Sequence, residues 1–222
     1  MSSPKRAASG WRGSPDLWFD AAYTALAESG VDAVRILPLA KKLGLSRTSF
    51  YWFFEDRQAL LTELLERWRT KNTGNLVKQS ECYADSITEA ILNVFDCWLD
   101  TQLFDSKFEF AVRSWAQRSA TVAAALVKAD EARIAALTEM FVRFGYQALP
   151  ADVRARTIYL TQIGYISMKT KEDLATRMRR IPEYVEIFTG VRPLPRELER
   201  FFSRHGSAPR GSAGANLRKA AG

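Results

Sequence analysis

The 222-residue sequence is poor in the residues that build disulfide frameworks, metal sites and membrane spans. Its two cysteines, Cys82 and Cys97, are too few for a disulfide scaffold and are interpreted as reduced apolar thiols. The one histidine, His205, lies in a polar segment and gives little basis for metal binding or catalysis. No apolar run approaches the roughly 18 residues of a membrane-spanning helix, and MSSPKRAASGWRGS lacks the apolar core of a signal peptide. We therefore expect an intracellular protein without a metal or cofactor.

Strand patterns are missing as well, because the apolar residues along the chain recur at helical spacing. No nucleophile–base pair, metal-ligand cluster or phosphate-binding loop is visible, which argues against an enzyme. The sequence predicts an all-α protein with one or two domains and a sizeable core.

The net charge of +7 is concentrated at the two ends of the chain. Residues 1–12 carry +3 and residues 192–222 carry +5, so the residues between them carry −1 in total. The basic excess is therefore no evidence that the central part binds nucleic acid. The N-terminal arm could reach DNA phosphates, or each end could be a solvated tail, and we expect disorder in residues 1–14 and 203–222.

The most informative stretch is LAKKLGLSRTSFYWFF, residues 39–54, whose parts follow the order of a helix-turn-helix. Apolar residues at helical spacing predict a short first helix, and Gly44 follows where that helix must end. Ser46 is a good N-cap for a second helix, and three phenylalanines at i, i+3 and i+4 predict its buried side. Such a pair of helices presents the second one to the major groove of DNA.

Helical segments flank this motif on both sides. Upstream, SPDLWFDAAYTALAESG predicts a helix that begins near Ser14 and ends at Gly30, and downstream a helix opens near Arg57. This order, with the L-A-x-x-L-G-L-S, F-Y-x-F-F and D-R-x-A-L-L patterns of residues 15–62, resembles the TetR/AcrR family of bacterial transcriptional regulators. The later segment AVRSWAQRSATVAAALVKADEARIAALTEMFVRFGY is similar to the second domain of one branch of that family.

The resemblance implies roles for residues at three positions. Tyr51 matches the tyrosine of the F-Y-x-F-F pattern and is implied to contact a DNA phosphate. Arg57 stands where the family has a lysine at the start of the next helix, and either residue supplies a cation. Arg35 stands where the family usually has a Ser or Thr cap, which is a departure from the pattern.

Side-chain chemistry completes the candidate DNA-binding set. Arg47 and Thr48 are predicted to contact bases, because arginine binds guanine O6 and N7 and threonine contacts a thymine methyl group. The other members are predicted to contact phosphates. The lysines of the first helix could equally form a solvated face, and the adjacent aromatics could be ordinary surface residues. The full candidate set is Arg35, Lys41, Arg47, Thr48, Ser49, Tyr51, Trp52 and Arg57.

The chain divides into a basic arm (1–14), a helix-turn-helix domain (15–60), a helical second domain (61–202) and a tail (203–222). A linker helix from about Arg57 to Lys78 is predicted to join the two domains and to loosen around residues 72–75. The later helices are predicted at about residues 87–103, 108–115, 121–144, 150–170 and 182–202.

Aromatic residues of the second domain are predicted either to fill its core or to line a cavity for a small hydrophobic or amphipathic effector. Two polar residues within apolar patterns, Arg113 and Gln162, are candidates for orienting such a ligand. A salt bridge and an ordinary helix hydrogen bond are their alternatives. The candidate effector set is Phe95, Trp98, Phe104, Arg113, Trp115, Phe141, Phe144, Tyr159 and Gln162, and Met168 is a further candidate.

These patterns favour a ligand-responsive transcriptional repressor of the bacterial cytoplasm that binds a palindromic DNA operator as a homodimer. One short recognition helix reads few base pairs, so two copies are needed for useful affinity. The dimer interface is predicted on helices 150–170 and 182–202, where Gly164 would allow close approach. Two alternatives remain: a DNA-binding protein of the same fold without an effector, nucleoid-associated or controlled by a protein partner, and an all-helical enzyme.

Overall fold

The computed structural model describes residues 13–206, so the expected disorder of residues 1–12 and 207–222 lies outside the described residues. Regular structure in the described part is entirely helical, which confirms the predicted fold class. The α-helices are α1 (Pro15–Ser29), α2 (Ile36–Leu43), α3 (Arg47–Phe50), α4 (Arg57–Trp68), α5 (Asn75–Glu81), α6 (Ile87–Leu99), α7 (Ser106–Ala116), α8 (Ala120–Arg143), α9 (Ala148–Ser167), α10 (Leu174–Thr189) and α11 (Pro195–Arg204).

The ends of α1 follow the signals in the sequence. The Ser14 hydroxyl accepts a hydrogen bond from the Leu17 amide at 3.3 Å, and Pro15 occupies the first turn, where a missing N–H costs nothing. Gly30 ends the helix at φ 81°, a conformation that favours glycine. A short 3-10 turn, Val31–Ala33, then leads into α2.

The linker between the two domains is one helical rod from residue 57 to residue 81. A π-helical segment, Arg69–Gly74, joins α4 to α5, and the backbone stays helical through both junctions. This segment lies where the sequence predicts loosening. Asn72 and Thr73 within it are buried, so the extra residue per turn places two polar side chains against the interior.

Two hydrophobic cores divide the described chain. The first combines α1–α4 with α7 and the first half of α8, and Trp18 meets Phe50 edge-to-face in it at 5.2 Å. The second combines α5, α6, the second half of α8, and α9–α11. Helix α7 therefore packs on the helix-turn-helix domain, although it follows the linker in sequence.

The structure corrects the predicted bounds of the helix near the C-terminus. Helix α10 begins at Leu174 rather than at 182, and Pro182 lies inside it. Burial of four apolar side chains along one face outweighs the helix bond that the proline removes. Those side chains are Met178, Ile181, Val185 and Phe188.

The ordered chain also continues past the predicted boundary at residue 202. Helix α11 extends to Arg204. The His205 ring Nε2 lies 2.7 Å from a carboxylate oxygen of Asp96, and Arg204 pairs with the same carboxylate at 3.0 Å. These contacts hold the end of α11 against α6, so residues 203–206 do not belong to a disordered tail.

Candidate DNA-binding surface and effector cavity

The turn between α2 and α3 places α3 on the surface of the first domain. Gly44 ends α2 in the left-handed conformation at φ 65°, and Ser46 caps α3 by accepting a hydrogen bond from the Ser49 amide at 3.2 Å. Phe50 is fully buried behind α3 and packs on Trp18. The helix is thus held from its buried side and presents its other side to solvent.

The solvent side of α3 and its flanks carries most of the predicted DNA contacts. Tyr51 and Trp52 are large exposed aromatics, and the basic residues around them are exposed as well. Arg35 begins α2 without a side-chain cap, as the departure from the family pattern implied. We call this set the basic aromatic surface; it consists of Arg35, Lys41, Lys42, Arg47, Thr48, Tyr51 and Trp52.

Arg47 and Tyr51 form a pair at the centre of this surface. The Arg47 Nη2 donates a hydrogen bond to the Tyr51 hydroxyl oxygen at 2.9 Å, and the guanidinium carbon lies 5.5 Å from the ring centroid. The hydroxyl accepts from arginine and keeps its own proton for a further acceptor. The pair therefore holds one cation and one O–H donor together on the surface.

Two predicted contact residues do not lie on this surface. Ser49 is buried, and its hydroxyl lies 3.0 Å from the Ser46 hydroxyl, so it serves the cap rather than a phosphate. Arg57 donates to the carbonyl oxygens of Val34 at 2.5 Å and Val31 at 2.8 Å. Its guanidinium thus fixes the turn before α2 onto the start of α4.

A small cavity in the second domain lies between α6, α9 and α10. Its volume is about 60 Å³, and three predicted effector residues, Phe95, Trp98 and Gln162, line it. An open cleft of about 720 Å³ lies between α1, α7 and the end of α9. Gln162 and Tyr165 line both the cavity and the cleft, so the two spaces are adjacent. The cavity and the cleft together form one candidate ligand site.

The other aromatic candidates for effector binding lie in the packed cores, away from this cavity. Phe104 and Phe141 are buried in the second core, and Phe144 packs at its edge. Trp115 belongs to the first core, where α7 meets the helix-turn-helix domain. Met168 is exposed beyond the end of α9. These residues therefore pack in the cores or, for Met168, lie on the surface, and they do not line the candidate ligand site.

Arg113 and Tyr159 belong to a buried polar cluster that we define as Glu109, Arg113, Asp130, Arg133 and Tyr159. Arg133 and Glu109 are fully buried and form an ion pair at 2.8 Å. Arg113 bridges Glu109 at 2.9 Å and Asp130 at 2.6 Å. Two arginines thus balance two carboxylates across the cluster, of which Arg113 and Asp130 are partly exposed, and Arg113 forms the salt bridge given as its alternative role.

Electrostatics keep this cluster charged. Burial by itself raises the pKa of the Glu109 carboxyl, but the charge and hydrogen bonds of Arg133, with those of Arg113 and Asn72, hold that pKa below its usual value. Burial raises the pKa of Tyr159, so its hydroxyl stays protonated and donates to Asp130 at 2.6 Å. The same hydroxyl accepts from Arg133 at 2.8 Å.

Sequence reasoning missed Glu109 and Arg133 as members of this cluster. The signal was present in α8, because Arg133 lies four residues from both Ala129 and Leu137 on the apolar stripe of that helix. A charged residue inside such a stripe is buried only when it is paired. Its partner Glu109 lies 24 residues earlier on another helix, so the local sequence pattern does not predict which residue it pairs with.

Hydrogen bonds connect the buried polar cluster to the first domain through the π-helical segment. Asn72 donates to Glu109 at 2.9 Å and to the Asp105 carbonyl at 3.1 Å, and accepts from the Asp105 amide at 2.9 Å. The Asp105 carboxylate in turn accepts from the Tyr23 hydroxyl of α1 at 2.7 Å. A continuous path therefore runs from α1 to Tyr159 on α9.

Helices α9 and α10 carry an exposed apolar face on the side away from the core. Leu149, Val153 and Leu160 follow one stripe of α9, and Leu160 is 59 % exposed. Ile187 of α10 is 68 % exposed and shares a surface groove with Leu149 and Val153. We call these four residues the apolar stripe; contiguous exposed apolar residues of this kind mark interaction surfaces.

The described residues also bear on metal binding, membrane insertion and thiol reactivity. Across residues 13–206, no group of three or more His, Cys, Asp or Glu side chains is arranged to hold a metal ion. In the same part of the chain, no helix is both long and apolar enough to cross a membrane. Burial raises the pKa of the Cys97 thiol to about 12, so this cysteine is not a ready nucleophile.

Comparison with known proteins agrees with this geometry. Residues 19–64 match the family model of the bacterial regulatory proteins of the tetR family. None of the curated proteins compared with the chain matches it. The match covers α1, the helix-turn-helix and the first part of α4, which are the elements that build the basic aromatic surface.

Solved structures extend the likeness to the second domain. The fatty acid degradation regulator FadR from Bacillus halodurans superposes with a TM-score of 0.61 at 16% identity, over 83% of this chain and 97% of that one. A transcriptional regulator from Rhodococcus sp. Rha1 gives 0.53 at 18% identity, over 86% and 97%. A protein from Mesorhizobium loti described as a TetR-family transcriptional regulator gives 0.54 at 16% identity, over 86% and 95%. The chain therefore carries a TetR-type DNA-binding domain at its N-terminus and has the fold of the TetR-family transcriptional regulators.

Proposed function

We propose that this protein is a homodimeric, ligand-responsive repressor that binds a palindromic operator in the bacterial cytoplasm. The observation that carries the proposal is the capped helix α3, which exposes Arg47, Thr48 and Tyr51 while Phe50 anchors it from behind. Arg47 and Thr48 are assigned to base edges, and Tyr51, Trp52 and the lysines of α2 to phosphates. Ser49 and Arg57 are assigned to the internal framework of the domain.

The apolar stripe on α9 and α10 is the proposed dimer interface. A two-fold axis through this face would bury the same residues from both protomers. Gly164 continues the stripe four residues after Leu160, and no atom lies within 4 Å of the position that a Cβ would occupy there. The protomer's own packing does not require a glycine, and its missing side chain leaves room for a partner helix.

Effector binding would reach the DNA-binding domain through the buried polar cluster. Ile158 lines the cavity, and the next residue, Tyr159, is hydrogen-bonded to Arg133 in the cluster. From there the bonds of Asn72 and Asp105 lead to Tyr23 on α1. A ligand that shifts α9 would therefore shift the linker and change the spacing of the two recognition helices.

The second candidate function is DNA binding without an effector, under the control of a protein partner or in organising the chromosome. The observation that favours it is the small volume of the cavity, about 60 Å³. Drug-sized ligands occupy pockets of about 300–1,000 Å³, so binding would require the cavity to open into the adjacent cleft.

Selection of bound DNA from a random duplex pool, at two salt concentrations, tests the proposal. We expect a palindrome whose half-sites are separated by about one helical turn or a multiple of it, because a dimer presents two recognition helices. Recovery without a common motif, together with binding that disappears steeply as salt rises, would contradict it and favour backbone contact alone.

Arg47→Ala is expected to relax the base preference at one position of each half-site. A bidentate arginine–guanine contact contributes about 1–3 kcal/mol of discrimination, so the selected motif should lose that guanine while its other positions persist. Lys41→Ala is the matched control, since a phosphate contact carries no sequence information. An unchanged motif for Arg47→Ala would show that another residue reads the base.

Tyr51→Phe is expected to weaken binding to all duplexes by a similar factor, about threefold to tenfold, because one hydrogen bond to a phosphate is lost. The salt dependence of binding should keep its slope, because no charge is removed. Titration of the selected operator and of a scrambled duplex over a salt series measures both quantities. A loss confined to the operator would instead place Tyr51 at a base edge.

A further inference from the structure

The cavity between α6, α9 and α10 combines apolar walls with an unsatisfied hydrogen-bond donor. Phe95, Ile158, Ile181 and Phe188 supply the walls. Trp98 also lines the cavity, and its indole Nε1 is buried and has no hydrogen-bond partner among residues 13–206. An unpaired buried N–H is costly, and a ligand atom that accepts a hydrogen bond would remove that cost.

Arg177 places a cation at the boundary of the cavity and the cleft. Its side chain lines both spaces and forms no ion pair with any carboxylate of the described chain. Its interactions are a long hydrogen bond from Nη1 to the Trp98 carbonyl oxygen, 3.4 Å, and a contact with the Tyr165 ring at 6.0 Å. The guanidinium therefore retains N–H donors for an anion beside Trp98.

The charges around the joined spaces favour an anion. Four cations and two carboxylates line the cavity and the cleft, which leaves an excess of two positive charges. They are Lys107, Lys169, Arg177, Arg180, Glu28 and Glu172. Glu172 is already paired with Arg180, so the carboxylate nearest the cavity does not compete for Arg177.

Two polar pairs lie along the edge where ligand would enter. The Tyr165 and Tyr184 hydroxyls are 2.7 Å apart and join α9 to α10 beside the cavity. The Glu172–Arg180 pair ties the loop before α10 to that helix. Both pairs are partly solvent-accessible and contribute little stability individually, so they can open without unfolding the core.

We propose that this site binds a small amphipathic carboxylate, with its apolar body in the cavity and its carboxylate between Arg177 and Trp98. A planar carboxylate matches one guanidinium through two parallel N–H donors, and one of its oxygens can also accept from the Trp98 Nε1. The apolar body of the ligand needs more space than the cavity offers, so the tyrosine pair opens to admit it.

This inference rests on the proposed function only for its consequence on DNA, since ligand binding is measured on the free protein. The probes are hexanoate, octanoate, decanoate and phenylacetate, each beside the alcohol with the same apolar body. Binding to the full chain is followed by calorimetry at pH 7. Arg177→Gln is the test variant, and Arg179→Gln is the control, because Arg179 is exposed and does not line the cavity.

We expect at least one carboxylate to bind about tenfold more tightly than its alcohol, and Arg177→Gln to remove that advantage. Arg179→Gln should leave it within about twofold. Trp98→Phe should weaken the carboxylate and the alcohol alike, by about threefold to tenfold, because both offer an oxygen acceptor. Unchanged thermal unfolding of the variants would show that they are folded.

Three results would overturn the inference: no binding of any carboxylate at millimolar concentration, equal affinity for carboxylate and alcohol, or equal losses for the two arginine variants. The selected operator is bound in the same preparation as a separate measurement. If operator binding persists while every carboxylate fails, the ligand class is wrong and the DNA-binding proposal stands. If carboxylates bind but no operator is recovered, the proposed function is wrong and the inference of a carboxylate-binding site stands.

Discussion

Arg133→Met is expected to lower the free energy of unfolding by about 3–5 kcal/mol, because it leaves a buried carboxylate without its main partner. Arg133 and Glu109 are both fully buried, and their ion pair is 2.8 Å long. Methionine keeps most of the side-chain volume, so the loss reflects charge rather than a cavity. Tyr159 and Thr73 lose the same arginine donor.

Urea unfolding at one fixed protein concentration measures this loss, because a dimer's stability depends on concentration. Arg118→Met is the matched control: its ion pair with Asp32 is exposed and lies outside the proposed interface on α9 and α10, and its loss should cost about 0.5 kcal/mol or less. Combining Arg133→Met with Glu109→Gln should cost less than the sum of the two single variants, by about 1–3 kcal/mol. Strictly additive losses would show that the pair is not coupled.

The sequence predicts four helix ends of the first domain well because their signals are local. Ser14, Gly30, Gly44 and Ser46 act through hydrogen bonds or backbone angles within a few residues. The same residues at the same spacings would act alike in many proteins, which is why the pattern identifies the domain. The exposed side of α3 follows directly, because Phe50 fixes which side is buried.

Residues whose partners are distant in sequence are the ones that local patterns misplace. Arg57 finds its acceptors at Val31 and Val34, more than twenty residues earlier, and so becomes a structural clamp. Glu109 pairs with Arg133, which lies 24 residues later on the next helix. Ser49 fails for a different reason: its side chain is buried, and its hydroxyl is hydrogen-bonded to that of the N-cap Ser46.

The second domain is harder to predict because core and cavity share one composition. Phe95 and Phe141 both follow helical spacing, yet Phe95 lines a cavity and Phe141 fills a core. The difference depends on how α9 and α10 pack, and α10 begins eight residues earlier than its proline suggests. Aromatic periodicity thus predicts burial but not which buried residues border empty space.

Leu160→Glu is expected to weaken dimerisation by a hundredfold or more while leaving each protomer folded. The side chain is 59 % exposed in the protomer, so the substitution costs the isolated fold little. In an interface with two-fold symmetry, two copies of the new carboxylate would be buried close to each other without partners. Sedimentation equilibrium of the variant and the parent protein measures the change.

Operator binding should fall with the dimer, because each half-site alone is held by one short recognition helix. At protein concentrations where the parent protein saturates the palindrome, Leu160→Glu should bind it no better than a half-site. Val127→Glu is the matched control: Val127 is 53% exposed on α8, near the first core and outside the apolar stripe. A Leu160→Glu protein that stays dimeric would place the interface elsewhere. A monomer that still binds the palindrome with full affinity would separate dimerisation from operator recognition, and the two-fold argument would fail.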